Sequence, residues 1–204
     1  MGSSPEYFNK CYVWDIYTDV KIGVPSNFQG YRMAHSGGAY AGLALFLNKN
    51  YKEREYIKNK LKSSLEKGKK YRVSFYISLA DSSEYKSDHI SFTFTSGPNS
   101  KIKLNVTRND LMEDLLNSPT RIKIYSPSKL GSKEWVKVEG EYYSLGGEEY
   151  LIIGSFAEDM SKKEYKKILK NEIIPCNGNE CAPYYYIDDV IVEEILRNSV
   201  VPEF

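Results

Sequence analysis

The chain has 204 residues, with 28 basic and 27 acidic side chains. Charges that nearly cancel leave no global field to recruit nucleic acid or an anionic membrane surface, and no apolar run approaches a membrane span. Eighteen tyrosines stand against eight phenylalanines, and a flat apolar ring with a polar tip suits strand surfaces and wet binding faces alike.

Residues 1–4, Met1-Gly2-Ser3-Ser4, read as an expression scar and residues 197–204 as a second scar or tail. One domain over 5–196 is the expectation, since all-β domains of this size are ordinary and large enough to bury a core without staples. A strand is expected at Ala39–Phe46, after the Gly37-Gly38 turn. Ile57, Leu61 and Leu65 then fit a helix, while Tyr56–Leu61 equally fits a strand. The cleanest strand is Tyr71–Leu79, where Tyr71, Val73, Phe75, Ile77 and Leu79 alternate with Arg72, Ser74, Tyr76 and Ser78. Ile90, Phe92 and Phe94 alternate with Ser91 and Thr93, and further strands are expected at Lys101–Val106, Arg121–Tyr125, Trp135–Tyr143, Tyr150–Phe156 and Tyr184–Glu194. Gly37-Gly38, Gly97-Pro98-Asn99, Gly131-Ser132 and Gly146-Gly147 punctuate them as turns. Two helical interruptions are expected, one capped by Asn109 and ended by Ser118-Pro119, the other opening at Ser161 with Glu164 at capping-box spacing and stopping before Pro175. Many short strands at this spacing predict an all-β fold, a β-sandwich jelly roll with one or two short helical insertions.

Cys176 and Cys181 bracket a short turn through Asn177-Gly178. A disulfide closing it fits an exported protein, whereas zinc would need a second Cys or His pair. Cys11 is then left over, expected as a buried free thiol or as the partner of a cysteine lying upstream.

The last predicted strand carries two adjacent carboxylates, Asp188 and Asp189, among aromatic and β-branched neighbours. Regular alternation puts Asp188 on one face with Tyr186, Val190 and Val192, and Asp189 on the other with Ile187 and Ile191. A carboxylate aimed the same way as apolar residues needs a partner. Calcium, a hard cation with oxygen ligands, is one candidate; loop amides at a strand edge are the other. The expectation is that Asp188 is the more buried of the two.

No catalytic constellation emerges. His35 and His89 sit beside expected turns and outside any metalloprotease spacing, and no nucleophile elbow, phosphate loop or dinucleotide fingerprint is present. Adjacent acids such as Glu148-Glu149 do not by themselves supply two carboxylates facing each other across a cleft, as glycoside hydrolysis requires. The sequence favours a non-enzyme. Asn105-Val106-Thr107 matches a glycosylation sequon but falls inside an expected strand.

The order His35-Ser36-Gly37-Gly38-Ala39-Tyr40-Ala41-Gly42, then Leu65-Glu66-Lys67-Gly68-Lys69-Lys70-Tyr71-Arg72-Val73-Ser74-Phe75-Tyr76, then Trp135-Val136-Lys137-Val138-Glu139-Gly140, then Tyr186-Ile187-Asp188-Asp189-Val190 resembles the galactose-binding-domain-like jelly rolls, among them carbohydrate-binding modules of families 4, 9 and 22. Pro5-Glu6-Tyr7-Phe8, Ser78-Leu79-Ala80-Asp81-Ser82-Ser83 and the stretch Gly147–Phe156 resemble, more narrowly, a jelly-roll domain of exported Bacteroidetes proteins often joined to OmpA-like or sorting domains. The resemblance spans Pro5 to Glu194 and implies a secreted or cell-surface location. It also implies a structural calcium held by Asp188 and by backbone oxygens around Ser36 and Gly38. The family's opening strand, of the form Asn-x-x-Phe-Glu, is not seen before Pro5.

Two functions of different class follow. One is a non-catalytic carbohydrate-binding module whose partner is a glycan or polysaccharide, with Trp14, Tyr40, Tyr76, Tyr85, Tyr142 and Tyr143 as the aromatics to test for sugar stacking. The other is a structural or adhesive domain of a larger surface protein, whose partner is another protein, a neighbouring domain or the cell wall. An exposed row of aromatics on the sheet face favours sugar, whereas a polar sheet face with an apolar patch elsewhere favours a protein.

Overall fold

The alternation over Tyr71–Leu79 becomes strand β8 (Lys70–Leu79), paired on both sides within a sheet and turning Tyr71, Val73, Phe75, Ile77 and Leu79 into the core. The computed structural model describes residues 5–11, 14–15, 20–45, 54–83, 86–97, 121–156 and 183–196. Before β8 come β1 (Glu6–Asn9), β2 (Trp14–Asp15), β3 (Val20–Lys21), β4 (Ser26–Asn27), β5 (Gly30–Tyr31), β6 (Ala39–Ala44) and β7 (Tyr56–Lys60). After it come β9 (His89–Thr95), β10 (Ile122–Tyr125), the one-turn helix α1 (Pro127–Leu130), β11 (Val136–Tyr143), β12 (Tyr150–Gly154) and β13 (Tyr184–Glu194). The ambiguous segment after residue 55 is a strand over Tyr56–Lys60, as one of its two readings had it.

Two antiparallel sheets form, one of five strands in the order β1-β6-β13-β8-β11 and one of four in the order β10-β9-β12-β7. From β6 to β13 the chain passes from one sheet to the other at every step except the neighbouring pair β9 and β10. This is an all-β sandwich of the jelly-roll kind. Between the sheets, Leu43, Val73, Phe75, Ile77, Val138 and Tyr185 meet Ile90, Phe92, Phe94, Leu151 and Ile153 in one apolar cluster. Side chains of period two make such a core without further instruction, because every second residue of each strand faces the opposite sheet.

Turn geometry is held by one buried acid. Glu148 accepts hydrogen bonds from the Tyr142 hydroxyl, Ser144 Oγ at 2.7 Å and the amides of Leu145 and Gly146 at 2.7 and 2.9 Å, which tie the β11–β12 turn. Burial pushes its carboxyl up, and the bonds from Tyr142 and Ser144 more than reverse this, leaving it below the usual carboxylate range.

The strand expected at Lys101–Val106, the helices expected near Asn109 and Ser161, the sequon at Asn105 and the thiols Cys176 and Cys181 lie outside the described residues. Cys11, expected to be buried as a free thiol, is instead exposed. Phe75 is fully buried at the centre of the sandwich. Phe75→Ala should destabilise the fold by about 3–5 kcal/mol, read as a lower urea midpoint at unchanged slope. A loss within about 0.5 kcal/mol would place Phe75 among surface positions and break the core assignment.

Candidate functional site

Residues that face away from the core on the five-stranded sheet do not all face water. Phe8 of β1, Tyr40 of β6 and Tyr184 and Tyr186 of β13 form a second buried cluster, against which Ile22, Val24, Ala34 and Trp135 pack. The rings meet edge to face or tilted, with centroids 5.6 Å apart for Phe8–Tyr40, 5.8 Å for Phe8–Tyr186 and 4.8 Å for Tyr40–Tyr186. Such geometries favour aromatic pairs beyond their burial alone. The cover is the segment 20–38, which carries β3, β4 and β5.

Asn27 pins that cover to the sheet. Its Nδ2 donates to the Tyr40 hydroxyl at 2.9 Å, and its Oδ1 accepts from the Tyr186 hydroxyl at 2.9 Å and the Gln29 amide at 2.8 Å. The Tyr40 hydroxyl in turn donates to the Arg32 carbonyl at 2.9 Å, and Trp135 Nε1 donates to the Met33 carbonyl at 2.8 Å. The phenols of Tyr40 and Tyr186 thus find partners on the covering segment, and that of Tyr184 finds Glu6 on β1.

The far end of the cover is fastened to the aspartate pair. Register against β8 shifts between Asp188 and Ile191, and Asp189 takes a left-handed φ of 47°. This is a β-bulge, and aspartate tolerates that conformation better than most residues. The bulge corrects the expected alternation: Asp188 stays on Tyr186's face, but Val192 returns to the inner face opposite Val73 and Val190 is exposed. Both carboxylates then address one loop. Asp188 Oδ2 accepts the amides of His35 at 2.9 Å and Ser36 at 3.3 Å, and its Oδ1 accepts the Asp189 amide at 2.7 Å. Asp189 accepts Ser36 Oγ at 2.5 Å and sits 2.6 Å from His35 Nδ1. The bonds from Ser36 and His35 hold the Asp189 carboxyl below the usual range. His35 also stacks on Tyr76, centroids 3.5 Å apart and planes 18° apart.

This donor set does not fit calcium. Amides and a hydroxyl already point at the carboxylate oxygens, and Ser36 offers Asp188 its N–H where a cation would need oxygen ligands. Among the described residues, no three His, Cys, Asp or Glu side chains come together to hold a metal. Loop amides, the other candidate of the sequence reading, satisfy Asp188.

The solvent side of the cover is different. Along Gly30–Ala34 the chain is extended, so Arg32 and Ala34 turn toward the sheet while Tyr31 and Met33 face water, 62% and 61% exposed. The Tyr31 amide donates to Asp81 Oδ2 at 2.9 Å and Arg32 Nη2 to Asp81 Oδ1 at 3.0 Å, so one carboxylate grips both residues. Glu134 lies 4.0 Å from the same guanidinium, Lys133 Nζ reaches the Asp81 carbonyl at 3.2 Å, and Ser82 bonds the Gln29 side chain. Gly30 has a φ of 137°, and a Cβ there would lie 2.6 Å from the Asp81 side chain, so only glycine admits this approach.

Of the aromatics expected to bind, Tyr40 and Tyr142 are core residues at 3% and 4% exposure and present no face to a ligand. Tyr76 has one face covered by His35, and Tyr85 lies outside the described residues. Trp14 is exposed on the β2–β3 hairpin. Tyr143 is exposed at the far end of β11, with Lys70 Nζ 5.4 Å from its ring centre. The structure does not bring the described ones among these residues together in one exposed surface. Tyr31, Arg32 and Asp81 were missed; the signal available for them was Gly30-Tyr31-Arg32-Met33, an extended stretch beside a glycine.

No protein-family model matches the chain, and no curated protein matches it in sequence. Among solved structures it is similar to the CBM22-1 xylan-binding domain of Paenibacillus barcinonensis Xyn10C, at 12% identity, 79% of this chain and 76% of that one covered, and a TM-score of 0.43. It is similar to a cleaved adhesin domain of Lys-gingipain from Porphyromonas gingivalis at 12% identity, 94% and 84% covered and a TM-score of 0.41. It is also similar to TmCBM61, solved with β-1,4-galactotriose, at 13% identity, 79% and 74% covered and a TM-score of 0.32. These scores are low, and the fold assignment rests on the chain's own strand order and core.

Asp189 has its carboxyl held below the ordinary value of 3.8, so it stabilises the fold above that pH and loses the contribution as acid titrates it. Asp189→Asn should therefore lower stability at neutral pH and flatten the acid limb of the stability profile. A variant with the wild-type acid limb would show that the latch carries no linked proton.

Proposed function

We propose that the chain is a non-catalytic carbohydrate-binding module of an exported bacterial surface protein, and that sugar stacks on Tyr31. The observation that carries this reading is a large ring, 62% exposed, on a backbone fixed by Asp81 and Arg32. Sugars offer an apolar ring face and a rim of hydroxyls. Recognition needs a rigid flat apolar surface beside polar groups that are already placed, because fixing them at binding would cost affinity. Asp81, bonded to the Tyr31 amide and to Arg32, sets acceptors and donors beside the ring, with Glu134 on the same guanidinium, and Met33 extends the apolar surface along the same stretch. Both histidines serve packing: His35 lies between Asp189 and Tyr76, and His89 is buried with Asp88 on its ring nitrogen.

The open half of the five-stranded sheet supports a different surface. Lys70 pairs with Glu141, Arg72 Nη1 with Glu193 at 3.5 Å, and Lys137 Nζ with Glu139 at 3.7 Å, so that face is a lattice of exposed ion pairs. Pairs of this kind contribute little to stability.

A glycan array of the isolated domain, followed by calorimetry on the best oligosaccharide, tests the reading. Tyr31→Ala should weaken binding at least about tenfold, or ~1.4 kcal/mol, while Tyr143→Ala and Trp14→Ala leave it unchanged. No binder on the array, with the domain folded, would move the assignment to an adhesive or structural role.

Export is tested separately. Under oxidising conditions Cys176 and Cys181 are expected to pair, which leaves the exposed Cys11 as the one reactive thiol. Intact mass after alkylation without reductant should show one adduct, and three adducts would remove the support for an oxidising compartment.

A further inference from the structure

Strand β1 is an edge strand of the five-stranded sheet, paired to β6 with Glu6 opposite Gly42. Glu6 and Phe8 lie on its outer face, and Phe8 is fully buried in the second cluster. Gly42 makes room there. A Cβ on it would collide with the Tyr184 hydroxyl and lie 2.6 Å from the Phe8 ring. In that slot the Tyr184 hydroxyl meets Glu6 Oε2. Just before β7, the buried Glu55 accepts the Ala44 amide at 2.7 Å and adds a second carboxyl to the neighbourhood.

Among the described residues, the groups facing Glu6 are therefore the Tyr184 phenol from β13, the Glu55 carboxyl from the residue before β7 and, from β6, a glycine with no charge to offer. Phe28, from the turn between β4 and β5, closes over Phe8 and Tyr184 at centroid distances of 5.7 and 6.2 Å and is apolar. Among the described residues, no lysine or arginine contributes to holding the Glu6 charge. An ionised carboxylate in such a place meets desolvation and a like charge together.

We infer that Glu6 is a proton-dependent clasp for β1, seating the strand while neutral and weakening its docking once ionised. Burial pushes the carboxyl up from 4.5 to about 7, against the pull of the Tyr184 bond and with the Glu55 charge adding to the rise. The docked strand thus binds the proton more tightly than the undocked one. Docking is strongest in acid, falls as the pH rises from about 4.5, and reaches its floor above about 7. Because Phe8 sits between Phe28 and Tyr186, the first consequence of release is loss of the ring that supports the β4–β5 turn.

Hydrogen exchange tests the clasp without any ligand. Protection factors of the β1 amides, referenced to those of Leu151–Ile153 in the four-stranded sheet, should fall at least about tenfold between about pH 5 and about pH 8. Glu6→Gln should hold them high and flat. Glu55→Gln, whose side-chain oxygen still accepts the Ala44 amide, should move the wild-type midpoint to lower pH. A flat wild-type profile, a Glu6→Gln profile that keeps the fall, or a Glu55→Gln midpoint at or above wild type would each overturn the inference.

Discussion

Four rings, Phe8, Tyr40, Tyr184 and Tyr186, stand on the side of the five-stranded sheet that the second sheet does not cover. Left to water they would expose an apolar patch of the kind soluble domains do not keep, and their phenols demand partners once covered. The segment 20–38 covers the rings and partners the phenols of Tyr40 and Tyr186, while Glu6 of β1 partners that of Tyr184. Ile22, Val24 and Ala34 supply apolar contact, and Asn27 and the Arg32 carbonyl supply the hydrogen bonds. The cover must also be held at its end, where the bulge at Asp189 brings two adjacent carboxylates to the His35–Ser36 loop. What faces solvent on the other side of that cover, Tyr31 and Met33 with Arg32 fixed beneath, is a product of the same fastening.

This divides the outer sheet face into two physical halves. One is aromatic, dry and roofed by a latched segment. The other is wet and charged, with Lys70, Arg72 and Lys137 each set against a glutamate on the same or a neighbouring strand. Of the two, a hydrogen-bonded roof bearing an exposed ring is the better place for the proposed recognition. Its geometry is set before a ligand arrives, whereas long charged side chains must be ordered on binding.

Much of the sandwich was legible in the sequence, for a specific reason. Strands that alternate large apolar with polar side chains, such as Tyr71–Leu79 and His89–Thr95, print their period directly into the chain, even where, as in His89–Thr95, both faces are buried. The short strands of the cover do not. Pieces of two residues, as at Ser26–Asn27 and Gly30–Tyr31, are too short to show a period, and their pairing depends on rings contributed from distant strands. The aspartate pair was found, but its geometry was not, because one extra residue in a strand redirects every side chain after it and leaves no mark on local composition. Tyr40 and Tyr142 failed as site residues for a related cause. Tyrosine serves cores and surfaces alike, and only the assembled sheets show which ring is covered.

The central claim is that recognition happens on the latched roof and not on the charged sheet face. Amide chemical shifts of the labelled domain, followed during titration with its best oligosaccharide, test this most directly. The account predicts that the largest shifts cluster at Tyr31, Arg32, Met33 and Asp81. Shifts centred instead on Arg72, Glu141 and Tyr143 would contradict it.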